Sequence, residues 1–277
     1  MKPTIAFVTG ANQGLGLALV RGLAETLGPG STVYLGARDL AKGEAAVAEL
    51  PDDGATIEPL LIDVTDPGSV AAAADQVTQS HGGIDIVISN AAARMAKGDA
   101  FPEIVRRFAD TNNGGQRRMT DHFLPLLRER GVFLAVASSF GSLTKIPEHL
   151  WPRFDTETVT LDDIDAIIAA WVDAVETGTA ADQGWPEWIN IPSKIGQVAS
   201  IRVLARDLAA DPRKLLIASV CPGLVDTAAS RPWFDDMSKA QSPDQAALPI
   251  VRIATGQIPR EDCYGELCRL GTTVPWQ

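Results

Sequence analysis

The sequence predicts an α/β fold, a doubly wound parallel sheet forming a single domain over residues 1–277. Three observations carry that expectation. Apolar runs alternate with stretches of helical spacing along most of the chain. The runs are apolar throughout rather than at every second position, as in strands buried on both faces. A glycine-rich turn joins the first run to the first helical stretch. Strands that alternate with helices imply right-handed crossovers and parallel pairing. A length of 277 residues allows one large domain or two small ones, and neither a repeat nor a low-complexity linker divides the chain.

Residues 4–9 form a short β-branched run, and 15–27 carry apolar residues at helical spacing. A second strand is expected at 32–36, followed by an Ala-rich helix at 40–50. The third strand spans 57–64 and ends around Asp63; a helix at 69–80 and a fourth strand at 84–89 come next. Residues 104–127 read as one long helix, 132–138 as the fifth strand, 194–209 as a helix, 215–220 as the sixth strand and 265–270 as a seventh. Residues 144–187 interrupt the alternation as an inserted helical flap, with its own helix at 161–175. Trp151, Trp171 and Trp185 lie in or at the end of the flap, and Trp188 just beyond it.

Charge and composition narrow the function. Lys and Arg number 24 against 35 Asp and Glu, a net charge of −11, which argues against a phosphate-backbone partner. No apolar run approaches the ~20 residues of a membrane helix. Met1-Lys2-Pro3 leads straight into the first strand, so no leader is expected and the chain reads as cytoplasmic. Cys221, Cys263 and Cys268 suit neither a disulfide framework nor a zinc site, and His81, His122 and His149 lack ligand spacing, so no metal is expected.

The turn Thr9-Gly10-Ala11-Asn12-Gln13-Gly14-Leu15-Gly16 is the first motif with chemical content. Glycine lets backbone N–H groups approach a pyrophosphate, and the N-terminus of the following helix favours its charge. A plain strand–helix turn also uses glycine, but here the turn opens an alternating α/β chain. Its Gly-x-x-x-Gly-x-Gly spacing resembles the short-chain dehydrogenase/reductase family, and the resemblance continues. Asp63-Val64 is similar to the family's adenine-contacting pair, and Asn90-Ala91-Ala92 to its Asn-Ala-Gly. Asn112 resembles the helical Asn that holds a proton-relay water, Ser139 the catalytic serine, and Ser193-Lys194 the end of Tyr-x-x-Ser-Lys. Pro222-Gly223-Leu224-Val225-Asp226-Thr227 resembles the Pro-Gly segment that frames a nicotinamide. The flap, ending in Gly184-Trp185-Pro186, looks most like that of the carbonyl-reductase group.

The resemblance implies a Rossmann fold, a nicotinamide cofactor and hydride transfer. Cofactor contacts would fall to Gly10, Asn12, Gln13, Gly14, Leu15, Gly16, Arg38, Asp63, Val64, Asn90, Lys194, Pro222, Gly223, Val225 and Thr227. Arg38 follows the second strand with no acid before it, which suits a 2′-phosphate and hence NADP(H), although the same residue also suits a solvated loop. The sequence departs from the family at one decisive position. Four residues before Lys194, where the family has its tyrosine, stands Asn190. An amide donates a hydrogen bond but is no general acid near neutral pH; Asn190 is equally suited to capping a helix, with Pro192 in the first turn.

The expected function is therefore an atypical NADPH-dependent reductase acting on a C=N or C=O bond of a bulky, aromatic small molecule. Asn112, Ser139, Asn190 and Lys194 are its candidate catalytic residues, and Trp185, Glu187 and Trp188 its candidate substrate contacts. The alternative is a family member that binds NADP without redox turnover: a non-redox cyclase, a sensor or an inactivated variant. Indole faces attract cations, and Asp155, Glu157, Asp162, Asp163 and Asp165 would add to a cationic imine site, although they also suit a solvated helix start. The flap should cover the helix face through which most family members dimerise, so a monomer is expected.

Overall fold

The computed structural model describes residues 3–277; Met1 and Lys2 lie outside the described residues. The strands are β1 Ile5–Val8, β2 Thr32–Ala37, β3 Thr56–Leu61, β4 Ile84–Ser89, β5 Leu127–Val136, β6 Leu216–Val220, β7 Leu267–Arg269 and β8 Thr272–Val274. They form one sheet in the order β3-β2-β1-β4-β5-β6-β7-β8. Every pairing is parallel except β7 with β8. The helices are α1 Gly14–Leu27, α2 Leu40–Ala48, α3 Pro67–His81, α4 Phe101–Ala109, α5 Gly115–Phe123, α6 Leu161–Glu176, α7 Asn190–Asp207 and α8 Pro243–Ala254.

The apolar strands are buried because helices cover both faces of the sheet. On one face α1, α2 and α8 supply Leu19, Leu23, Ala46, Ile250 and Val251, packed with Val8, Leu35, Ile88 and Leu134. On the other, α3, α5 and α7 supply Val70, Val77, Phe123 and Ile201 against Phe7, Tyr34, Val87 and Phe133. Successive residues of one strand enter opposite cores, so near-continuous apolar runs are required. The sheet reverses its winding between β1 and β4, where crevices of such folds open at the strand C-termini.

Three elements differ from expectation. The long helix is broken: α4 passes through a π-helical turn, Asp110–Gly114, before α5, and a 3₁₀ turn over Leu124–Leu126 ends it. Helix α8 was not anticipated. Pro249 interrupts its pattern, yet Pro243 sits in the first turn and a Ser242–Gln245 capping box starts the helix. Strand β8 is only three residues long, paired back on β7 through Leu270 and Gly271, whose φ values are 53° and 81°. Positive φ at both turn residues is what a two-residue hairpin needs.

The inserted flap has a small core of its own. Short 3₁₀ turns, Leu143–Lys145 and Glu148–Phe154, lead to α6, whose start is fixed by a Thr160–Asp163 capping box. Trp171, Phe154, Leu150, Ile164 and Trp185 pack together with Phe108 of α4 and Ile195 and Ala199 of α7. Ion pairs hold the outside: Arg106 meets Asp173 and Glu176, and Arg117 meets Asp121, Asp162 and Asp165. The flap thus closes over α4, the π-turn and α7, the elements that carry several of the candidate site residues.

Candidate active site

The glycine turn sits between β1 and α1. Gly10 has φ 62°, and a Cβ there would meet Ala91 Cα at 2.9 Å. A Cβ on Gly16 would meet Gly10 O at 2.5 Å and Asn90 Nδ2 at 2.7 Å, so α1 packs onto the turn only with glycine. Asn90 holds the turn from the next strand: its Nδ2 donates to Thr9 O at 2.9 Å and Gly10 O at 3.2 Å. The N-terminus of α1 has no side-chain cap, so its first N–H groups have no partner among the described residues. Gln13 is exposed and Asn12 half-buried.

Arg38 is exposed just past β2 and forms no ion pair among the described residues. Asp63 lies close enough to feel its charge. Burial raises the Asp63 carboxyl, but two hydrogen bonds from Thr65 and the charges of Arg38 and Arg118 outweigh it and hold the group below the usual range. Val64 is buried against the start of α5, where a Cβ on Gly115 would meet its Cγ2 at 2.8 Å.

A cavity of about 480 Å³ opens beside this turn. Leu15, Ala92, Gly223, Val225 and Thr227 line one part of it, and Thr227 approaches the glycine turn, with its Cγ2 3.4 Å from the place of a Gly14 Cβ. Asn112, Ser139, Asn190 and Lys194 line another part, so residues more than 80 positions apart share one wall. Phe108, Phe140, Trp188, Trp233 and Phe234 supply aromatic surface.

Each polar group of that wall has a defined state. Ser139 lies in the turn after β5, and its hydroxyl has no protein partner among the described residues. Asn112, buried in the π-turn, accepts from Ala93 N at 2.9 Å and donates to Ser193 Oγ at 3.4 Å. Its backbone carbonyl accepts from Gln197 Nε2 at 3.1 Å, so α7 itself satisfies this carbonyl. Lys194 is buried, and its Nζ donates to Val136 O at 3.1 Å. Burial pulls this ammonium down to about 8, only partly offset by the charge of Cys221.

Asn190 is the first residue of α7, one helical turn before Lys194 on the same face. The capping role open to it in the sequence is not used: the N-cap is Ile189, no side chain caps the helix, and the Asn190 amide has no protein partner among the described residues. Pro192 lies in the first turn, where an N–H would have no helical acceptor. Both tyrosines are engaged elsewhere. Tyr34 Oη lies 2.9 Å from His81 Nε2, and Tyr264 Oη donates to Ala205 O at 2.7 Å.

Two expected substrate contacts are corrected. Trp185 is buried in the flap core, edge-on to Phe154 and beneath the Arg153 guanidinium, because its indole fills the space between α6 and the 3₁₀ turns. Glu187 is exposed and does not line the cavity. Only Trp188 reaches it, packed edge-on between Phe101 at 5.7 Å and Trp233 at 4.8 Å. The acids of the flap also lie elsewhere. Asp162 and Asp165 bind Arg117, Asp163 caps α6, and Asp155 binds Thr158. Sequence reasoning missed Phe108, Phe140, Trp233 and Phe234. Phe108 stands four residues before Asn112 and carried a signal; Trp233 and Phe234 lie on a loop after β6 with no readable pattern.

A model of the short chain dehydrogenase family matches residues 4–148. This chain is also 31% identical over 280 residues to carbonyl reductase (NADPH) 1 of Bos taurus, covering 98% of both chains. The chain belongs to the short-chain dehydrogenase family. The Mus musculus carbonyl reductase (NADPH) 1 is 30% identical over 278 residues, again across 98% of each chain. Among solved structures, salutaridine reductase from Papaver somniferum superposes with a TM-score of 0.79 at 24% identity, covering 95% of this chain and 99% of that one. Menthone neomenthol reductase from Mentha piperita gives 0.78 at 22% identity, over 98% and 99%. These two share the family fold. Family membership makes the chain an oxidoreductase of the short-chain type. No described helix is long and apolar enough to cross a membrane.

Proposed function

We propose that the protein is an NADPH-dependent reductase that delivers hydride to a C=N or C=O carbon of a bulky aromatic substrate, with Asn190 in the place of the family's tyrosine. The observation that carries this reading is the cavity wall. It gathers Ser139, Asn190 and Lys194 on one cavity with aromatic surface, beside a glycine turn with no room for a Cβ at Gly10 or Gly16. A dinucleotide fits that turn: Gly10 and Gly16 leave the backbone open, and the N–H groups at the start of α1 are unsatisfied. Arg38 supports the 2′-phosphate form, as do relatives named for NADPH. When bound, the dihydronicotinamide supplies the hydride.

The chain's own residues then decide which bond is reduced easily. At a carbonyl, hydride addition leaves an oxyanion that needs hydrogen bonds and a proton. The Ser139 hydroxyl and the Asn190 amide donate hydrogen bonds, but neither is an acid near neutral pH. Lys194 is a cation there, with a lowered pKa of about 8, and stands one helical turn away. At an iminium carbon, hydride addition gives a neutral amine and no proton is required. The wall therefore favours an iminium, a C=N that arrives protonated or N-alkylated, over C=O. The flap covers α4 and α7, the faces open to dimerisation in the fold, and we infer a monomer.

Asn190→Tyr tests the reading. General acid catalysis is worth roughly 10²–10⁴-fold. The variant should reduce aryl ketones at least tenfold faster, with a smaller gain on cyclic imines and nearly unchanged NADPH affinity. Steady-state kinetics on matched substrates measure both. Ketone reduction by the unmodified protein as fast as by Asn190→Tyr would show that another acid serves. No turnover of any imine or ketone by either protein would move the chain to a cofactor-binding role without redox chemistry.

A further inference from the structure

The charged residues on the cavity are all cationic. Arg94, Lys194 and Arg269 line it, and no Asp or Glu does, in a chain whose acids outnumber its bases by 35 to 24. Lys194 is engaged with Val136 O inside the wall. Arg94 and Arg269 are different. Neither forms an ion pair among the described residues, although Arg21, Arg106, Arg117, Arg202 and Arg231 all do. Arg94 stands on the loop between β4 and α4, and Arg269 at the end of β7.

Arg269 is folded over the Pro222-Gly223 turn. Its Nη2 lies 3.5 Å and its Nε 3.8 Å from the place of a Gly223 Cβ, and neither nitrogen has a protein acceptor among the described residues. The phosphates of a dinucleotide are served elsewhere, by the Gly10–Gly16 turn and the start of α1. An exposed guanidinium on the lining of a cavity with aromatic surface, without an ion pair among the described residues, suits a planar anion, because its fork of N–H donors matches a carboxylate. A cationic group at that same place would meet like charge.

Resting on the reductase reading above, we propose that Arg94 and Arg269 form a carboxylate subsite. The substrate is then an aromatic imine or ketone that carries a carboxylate group away from the reducible carbon. Its aromatic body packs against Trp188 and Trp233, and its carboxylate is bound by these guanidinium groups on the cavity lining. Both arginines are exposed, so the attraction is screened by salt.

The test uses an aryl keto acid, a cyclic aryl imino acid and their primary amides, with the full chain and NADPH. In the unmodified protein, KM for each acid should be at least tenfold below that for its amide, and the gap should narrow as salt is raised. In Arg269→Gln and in Arg94→Gln the acid-to-amide KM ratio should shift about fivefold towards unity, and further in the double variant. NADPH affinity, measured by calorimetry, should stay within twofold. Quenching of tryptophan fluorescence by 2-naphthoate, which cannot be reduced, reads the subsite without chemistry. Naphthoate binding that weakens in both variants supports the subsite even where no substrate turns over, an outcome that removes only the reductase reading. Turnover with equal KM for acid and amide overturns the subsite and leaves the reductase reading intact. A loss of NADPH affinity in Arg269→Gln without a change in the acid-to-amide ratio assigns that guanidinium to the cofactor and overturns the proposal.

Discussion

The glycine turn borders the cavity and the aromatic flap packs against α4 and α7, which supply other parts of its lining; the two regions are built by opposite means. The turn works by what is absent: no Cβ at Gly10 or Gly16, no side-chain cap on α1, no acid before Arg38. Its shape follows from about eight consecutive residues and one clamp, Asn90. The flap works by filling space. Trp171 and Trp185 are buried with indole N–H groups that lack partners among the described residues, and arginines on α4 and α5 bind its acids. Its contacts join residues far apart in sequence. Backbone approach makes the first region intolerant of any added atom, whereas lost volume is what damages the second.

The largest effect should come from the flap. Trp171 is fully buried, and truncation of such a residue costs ~3–5 kcal/mol. Trp171→Ala should lower the denaturation midpoint accordingly, while the protein that remains folded binds NADPH as before. A variant that loses cofactor affinity instead would show that the two regions are not separable. Gly16→Val should do the reverse. Its Cβ would meet backbone at Gly10 O, 2.5 Å away, and at Ala11 Cα, 2.8 Å away. Overpacking of this kind costs ~1–3 kcal/mol, and calorimetry should show NADPH affinity reduced by about 100-fold, which is roughly 2.7 kcal/mol.

Lys194 lines the cavity on α7, next to Ile195 of the flap core, and gives a pH test. Its folded pKa, about 8, is below the ordinary lysine value because burial disfavours the ammonium. The unfolded chain therefore holds the extra proton between about pH 8 and roughly 10.4, and stability must rise with pH across that window. Below pH 8 the full penalty, roughly 3 kcal/mol, opposes folding. Lys194→Met should remove the rise. Equilibrium unfolding at several pH values measures it, and an equal slope in both proteins would place the ammonium in contact with solvent or an anion. The smallest effect belongs to Arg38, exposed and unpaired. Arg38→Asp should shift the preference for NADPH over NADH by at least about tenfold, or ~1.4 kcal/mol. Equal affinities for the two cofactors in the unmodified protein would remove Arg38 from the site.

The architecture was legible because buried parallel strands must be apolar throughout. Strand β4 appears at residues 84–89 as expected, and α1 starts one residue before its expected position. Helix α8 was hidden by Pro249, and β8 by its three-residue length. The site divides in the same way. Gly10, Asn90, Asn112, Ser139 and Lys194 lie in local motifs whose order along the chain announces them, and the structure draws the last three onto one cavity. Trp185 and Trp188 were indistinguishable in sequence, because three positions of chain do not say which indole faces a core and which a cleft.

Local chain chemistry alone determined the parallel α/β fold, the glycine turn, and the presence of an amide rather than a phenol four residues before Lys194. Those features depend on short-range periodicity, on the missing Cβ of glycine and on residue identity, all of which are properties of neighbouring residues. Only the tertiary structure decided that Asn190 leaves its helix uncapped, that the flap's acids are spent on Arg117 and on capping, and that Arg94 and Arg269 stand at the cavity without an ion pair among the described residues. The reason is physical: whether a charge is free depends on every other charge that the fold brings within a few ångströms of it, and those partners lie tens to hundreds of residues away.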